Sequence, residues 1–166
     1  MNRAIFFDRD GVLNIDTINL YKIEDWQWID GAREAIKLCN DSGYLAIVIT
    51  NQSGIARGLF TEADVQKLHN FVQGELKKIG AHMDAFYYCP HHIEGTVPPY
   101  NIDCECRKPK PGLIFRACKD FDIDSAQSFM IGDKERDVEC GVNAGCKGVF
   151  FDGTNLYNLV NKIING

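Results

Sequence analysis

The sequence predicts an α/β fold, a doubly wound and mostly parallel sheet with helices on both faces. Three observations carry this. Short apolar runs alternate with segments of helical periodicity along the whole chain. The runs are apolar at nearly every position, as strands buried on both faces must be. The helical segments are apolar on one side only, as helices covering a sheet must be.

Taken in order, the first run is Arg3 to Phe7, followed by a long segment, Gly11 to Asp30, and a helix from Ala32 to Asn40 with Gly43 just beyond. The second run, Tyr44 to Ile49, leads into the clearest helix. It opens with a capping-box pattern, Thr61-Glu62-Ala63-Asp64, carries Val65, Leu68, Val72, Leu76 and Ile79 at steps of three and four, and stops at Gly80. A third run, Ala85 to Tyr88, precedes a second long segment, Cys89 to Pro111, and a helix from Gly112 to Phe121. Ser128 to Ile131 and Lys147 to Phe151 complete the strands, with helices from Lys134 to about Asn143 and from Asn155 to Ile164. No repeat or linker interrupts the pattern, so residues 1–166 read as one domain. Open parallel sheets bind ligands beyond the carboxyl ends of their strands, which directs attention to the residues just after each run.

Composition narrows the function classes. Of 166 residues, 45% are hydrophobic and 25% charged, as in an ordinary globular domain with a core. Lys plus Arg is 18 against 23 for Asp plus Glu, a net charge of -5, which lacks the basic field that attracts nucleic acid or anionic membrane. No apolar run approaches the ~20 residues of a membrane span, and Met1-Asn2-Arg3 leads directly into the first strand without a signal-like stretch. A cytoplasmic protein is expected, monomeric by default, with no nucleic-acid or membrane partner. Its seven cysteines are then thiols and not disulfides.

Four post-strand segments carry chemistry. Asp8-Arg9-Asp10-Gly11 follows the first run, and strand alternation points both carboxylates to one side. Two acids at one pocket edge repel unless a proton or a hard cation such as Mg2+ intervenes; the plainer alternative is a solvated turn. Thr50-Asn51-Gln52-Ser53-Gly54 after the second run offers hydroxyl and amide donors suited to phosphate or sugar oxygens, although alone it reads as a polar turn. Ile131-Gly132-Asp133-Lys134 after the fourth supplies a third acid for a metal site, with Asp137 either supporting it or lying on the helix surface. Arg107-Lys108-Pro109-Lys110 puts three cations into an acidic chain, an anion clamp or else a solvated turn.

The second long segment holds Cys89-Pro90-His91, twelve residues, then Cys104-Glu105-Cys106. Three thiols and one imidazole match a tetrahedral zinc site, and the loop from 89 to 106 has no apolar pattern to fold it otherwise. A full shell of Cys89, His91, Cys104 and Cys106 leaves no place for water, so the expected zinc is structural. His92 is a weaker candidate ligand. Cys39, Cys118, Cys140 and Cys146 read as small buried hydrophobes.

The segments DRDGVLN (8–14), TNQSGIARG (50–58), CRKPKPG (106–112) and IGDKERD (131–137) resemble, in order, the motifs of the haloacid dehalogenase superfamily of phosphatases. Within it, the cysteine and histidine loop is similar to that of the heptose-bisphosphate phosphatases and their sister histidinol-phosphate phosphatases. The resemblance implies that Asp8 is a nucleophile forming an aspartyl-phosphate, and that Asp10 is the general acid and base. It implies Mg2+ held by Asp8, the Asp10 carbonyl and Asp133, and phosphoryl oxygens held by Thr50 and Lys108. Arg107, Asn51, Gln52, Ser53 and Lys134 would meet a small phosphorylated sugar, while Lys110 has no implied role. Too little chain separates the motifs to hold a cap domain, so an open cleft walled by three loops is expected. The first loop of the heptose enzymes typically reads Asp-x-Gly-Tyr-Val, whereas here Asp16-Thr17-Ile18-Asn19-Leu20 keeps only the acid, leaving sugar and anomer open. A phospho-accepting receiver domain and a non-catalytic scaffold are the rival readings. A receiver carries its acceptor on a middle strand and has no equivalent of Asp10, and a scaffold has no need of the intact set.

Overall fold

The computed structural model describes residues 1–166. Five strands, β1 (Ala4–Phe7), β2 (Leu45–Asn51), β3 (Ala85–Cys89), β4 (Phe129–Gly132) and β5 (Lys147–Phe150), form one parallel sheet in the order β3-β2-β1-β4-β5. The chain builds outward from β1 to β3 on one side, then crosses back to lay β4 and β5 on the other. The direction of winding therefore reverses beside β1, which makes the carboxyl end of β1 the crevice of the sheet.

Strand alternation divides the core in two. Ile5 and Phe7 of β1, Ala46 and Val48 of β2 and Ile131 of β4 face helices α1 (Ala32–Asp41), α2 (Glu62–Lys77) and α5 (Leu156–Asn165). Their neighbours Ala4, Phe6, Ile47, Ile49 and Met130 face α3 (Gly112–Phe121) and α4 (Glu135–Asn143). Both faces are thus covered, as the continuous apolar runs require. The expected elements all form, with ends moved by a residue or two. β2 runs two residues further than expected, to Asn51, and α2 ends at Lys77, so that Ile79, expected on its apolar stripe, is turned outward in the closing turn. The capping box at its start is present: Thr61 Oγ1 accepts from the Asp64 amide at 3.2 Å and Asp64 Oδ2 from the Thr61 amide at 2.9 Å.

The first long segment is anchored. Val12, Leu13, Leu20 and Trp26 are buried in the larger core, and Ile15 and Ile29 donate backbone bonds to Gln27 and Leu13, which folds the loop back on itself. Of the remaining cysteines, Cys39, Cys140 and Cys146 are buried and Cys118 is half-buried against the second core. No helix is long and apolar enough to cross a membrane.

Candidate active site

Asp8 is the first residue beyond β1, still held in register by its amide, which donates to the Ile131 carbonyl at 3.0 Å. Its carboxylate meets the Lys108 ammonium at 2.7 Å, and Lys108 in turn lies 2.8 Å from Asp137 Oδ1 and donates to the Ile49 carbonyl at 2.9 Å. Lys108 comes from the loop before α3 and is buried, so its charge persists only because two acids flank it. Burial pulls its proton affinity down, but the attraction of Asp8 and Asp137 outweighs this and its pKa is raised. Burial pushes the Asp8 carboxyl up to about 6, against the opposing pull of Lys108. A buried acid beside an ammonium and a second acid is a site with room for further positive charge.

Asn51 fixes that lysine. Its Oδ1 accepts from the Lys108 amide at 3.0 Å and its Nδ2 donates to the Lys108 carbonyl at 3.3 Å, so the end of β2 grips the Arg-Lys turn through the backbone.

Asp133, after β4, stands beside Asp8, and the carboxylates of Asp8, Asp133 and Asp137 lie within 4.8 Å of one another. Asp133 Oδ1 is buried without a partner. Gly11 has φ 88, and a Cβ there would overlap the Asp133 carboxylate, so glycine is required both for the turn and for the acid's place. The carboxylate of Asp10 is not part of this cluster. It accepts instead from Arg9, from Asn14 Nδ2 at 3.0 Å and from Gln52 Nε2 at 3.1 Å. Burial would raise its pKa, but the Arg9 charge and these bonds lower it. Asp137, which the sequence allows as either a supporting acid or a surface acid, is wholly buried: Oδ2 caps α4 through the Lys134 amide and Oδ1 meets Lys108.

These groups open into a cleft of about 660 Å³, part of it open solvent, lined by Asp8, Asp10, Asp16, Asn51, Gln52, Ser53, Arg107, Lys108 and Lys134, and also by Ile18, Asn19 and Arg136. Nine residues expected from the sequence therefore share one cavity, and a single lining residue is hydrophobic. Lys134 reaches Asp16 at 3.6 Å across the mouth. Arg107 has a buried guanidinium nitrogen, Nη1, with no partner in the protein. Thr50 is not on the cleft wall: its hydroxyl is buried and accepts from Gln52 Nε2 at 3.0 Å. Arg136 is the lining residue the sequence reading misses, although it is legible as a further cation just after Asp133; Ile18 and Asn19 occupy the loop positions at which the sequence departs from the Gly-Tyr pair. Both have positive φ, 62 and 55, in the loop where the resembling enzymes carry Gly-Tyr.

The cysteine cluster lies at the end of β3. Its ligand atoms, Cys89 Sγ, His91 Nδ1, Cys104 Sγ and Cys106 Sγ, gather within 4.8 Å, with separations of 3.7, 3.5, 3.4 and 3.5 Å and one of 2.9 Å between Cys89 and Cys106. A tetrahedron with arms of about 2.3 Å has edges of about 3.8 Å, so the set has the dimensions of a four-ligand metal site. The hydrogen bond shared by Cys89 and Cys106 splits their proton affinities, pulling the Cys106 thiol down, with the nearby His91 ring helping, and pushing that of Cys89 up. His92 is outside the set, its Nδ1 accepting from the Glu94 amide and its Nε2 facing Arg57. Lys110 braces the loop, donating to the Cys104 carbonyl at 2.8 Å.

Comparison with known proteins places this geometry among phosphatases. A HAD-hydrolase-like family model matches residues 105–153. A D-glycero-beta-D-manno-heptose-1,7-bisphosphate 7-phosphatase of Rhodopseudomonas palustris is 42% identical over 161 residues, 97% of this chain and 89% of that protein. A D-glycero-alpha-D-manno-heptose-1,7-bisphosphate 7-phosphatase of Burkholderia mallei is 42% identical over 144 residues, 87% of this chain and 76% of that one. The crystal structure of the D,D-heptose 1,7-bisphosphate phosphatase from B. bronchiseptica, complexed with magnesium and phosphate, superimposes with a TM-score of 0.83 at 29% identity, covering 97% of both chains.

Proposed function

The chain belongs to the heptose-1,7-bisphosphate 7-phosphatases of the haloacid dehalogenase superfamily, and from that premise we propose that it removes the C7 phosphate of D-glycero-D-manno-heptose 1,7-bisphosphate with Asp8 as nucleophile. The observation that carries this reading is the buried Asp8-Lys108-Asp137 triad opening into a cleft whose lining is almost wholly polar. Asp8 attacks phosphorus; the bond to the sugar oxygen breaks as the bond to Asp8 forms, and the leaving oxygen takes its proton from Asp10. The free site holds Asp10 ionised, but the negative charge of an entering phosphate ester opposes this and raises its proton affinity. Water, surrendering a proton to Asp10, then attacks the aspartyl-phosphate and frees Asp8.

Lys108 neutralises charge on Asp8 and on the transferring phosphoryl oxygens, Asn51 keeps that lysine aimed, and Thr50 joins them once Gln52 releases its hydroxyl. Arg107, with its unpaired donor, recognises the substrate anion, and Asp16, Gln52, Ser53 and Lys134 shape the pocket around the sugar. Asp8 and Asp133, with the Asp10 carbonyl, fit a divalent cation, since Asp133 Oδ1 is a buried oxygen without a partner beside a second carboxylate. When bound, Mg2+ supplies charge neutralisation between nucleophile and phosphate. Cys89, His91, Cys104 and Cys106 fit Zn2+ by donor type and spacing, and such an ion would hold the loop that presents Arg107 and Lys108. Every residue named comes from one chain, so a monomer suffices.

The test is phosphate release with Mg2+ from the alpha and beta anomers of the heptose bisphosphate and from histidinol phosphate. Faster turnover of either heptose anomer is expected; no release, or preference for histidinol phosphate, overturns the reading.

A further inference from the structure

Asp8 and Asp10 both line the cleft, while the Arg9 side chain between them is buried, 1% exposed, against His69 of α2. A buried guanidinium is costly unless it is hydrogen-bonded, and here each of its three nitrogens has a partner. Nη2 donates to Asp10 Oδ1 at 3.0 Å and Oδ2 at 3.2 Å, Nε donates to Oδ1 at 3.2 Å, and Nη2 also reaches the Leu20 carbonyl at 2.9 Å. On the far side, Nη1 faces His69 Nε2 at 3.4 Å.

Arginine is always protonated, so Nη1 must be the donor and Nε2 the acceptor, which puts the imidazole hydrogen on Nδ1. The ring cannot swing to another partner. It is buried in the middle of α2 and stacked on Phe86 of β3, with centroids 4.5 Å apart and planes 17° from parallel. We propose that His69 is a positioning residue that acts through Arg9: it fixes the rotation of the guanidinium, and the guanidinium holds the Asp10 carboxylate at the angle from which it meets the leaving oxygen. Asn14 and Gln52 restrain the same carboxylate, but each reaches only one oxygen, whereas Arg9 spans both. The bond to Leu20 also ties the end of the loop carrying Asp16, Ile18 and Asn19 to the same guanidinium. Arg9 therefore serves both loop and acid, while His69 touches neither directly. A histidine present only to fill the core would be replaceable by any side chain of similar volume.

The inference rests on the reading of Asp10 as general acid, and leaving-group dependence tests the two separately. Protonation matters for a sugar alkoxide and little for nitrophenolate, so phosphoenzyme formation is followed in single turnovers with heptose 1,7-bisphosphate and with 4-nitrophenyl phosphate. In Asp10→Asn the sugar substrate should lose at least about tenfold more than the aryl one; equal losses refute the acid assignment itself. In His69→Leu the same selectivity should appear at smaller size, about tenfold for the sugar substrate and under about threefold for the aryl one, with KM nearly unmoved. His69→Gln, whose amide oxygen can accept where Nε2 does, should recover most of that loss. Equal losses with both substrates, no loss, or no advantage of glutamine over leucine overturns the proposal. If His69→Leu does not fold by circular dichroism, His69→Asn, whose shorter amide cannot reach Arg9, replaces it under the same expectations.

Discussion

Lowering the pH should unfold this protein partly through His69, by an amount that follows from its surroundings. Burial, with the Arg9 charge as a second cause, lowers the His69 pKa from its ordinary 6.5 to about 3. A group whose folded pKa is depressed binds its proton better in the unfolded chain. Its contribution to stability is therefore complete above 6.5 and lost as pH falls toward 3. The loss runs at about 1.4 kcal/mol per pH unit, so between about pH 8 and about pH 5 His69 alone should account for roughly 2 kcal/mol. Because pH 5 lies well above the folded value, the unfolded pKa sets nearly all of this figure. The perturbation is His69→Gln, which cannot titrate, and the assay is urea unfolding of both proteins at the two pH values. The difference between their losses cancels every group they share, and the wild type should lose roughly 2 kcal/mol more. Equal losses would mean that the imidazole is not held neutral against Arg9.

Three further outcomes follow from the same structure. Lys108→Met leaves Asp8 and Asp137 facing each other without a counter-ion, which should cost about 3 kcal/mol of stability by chemical denaturation and reduce phosphate release to background; a fully active variant would remove Lys108 from the mechanism. Ile18→Gly relieves an exposed β-branched residue at φ 62 and should raise stability by about 1 kcal/mol in thermal unfolding; a lowered Tm would show that the Ile18 side chain makes contacts that matter more than its backbone. Cys104→Ser removes one of four ligands and should abolish zinc binding by metal analysis and weaken activity indirectly through the loop that carries Arg107 and Lys108; retained stoichiometric zinc would contradict the ligand set.

The features legible in the sequence are those written locally. Apolar runs and one-sided helices define the layers, and because an open parallel sheet gathers the ends of its strands, the positions of Asp8, Asn51 and Asp133 just after or at the end of apolar runs assign them to one crevice. The cysteine and histidine cluster is legible because its four residues lie within one short segment. What stays hidden depends on pairings between distant segments. His69 lies four residues after Val65 on α2, in phase with the apolar stripe, and only the fold reveals Arg9 opposite it. In the sequence Arg9 is a spacer between two acids, since alternation says which way a side chain leaves a strand but not what awaits it. Asp137 is ambiguous there because its burial is set by Lys108 from another loop. Likewise, Glu62 accepts from both Tyr88 and Tyr100 at 2.6 Å, joining α2, β3 and the cysteine loop through three residues unremarkable in sequence.

The nucleophile can be observed directly. Wild-type protein mixed with heptose 1,7-bisphosphate and Mg2+, quenched in acid early in turnover and digested, should yield the peptide containing Asp8 with the added mass of one phosphoryl group, fragmentation assigning it to the Asp8 carboxylate. Phosphate release at full rate with that carboxylate unmodified at every quench time, or the phosphoryl group found on another side chain, would contradict the account.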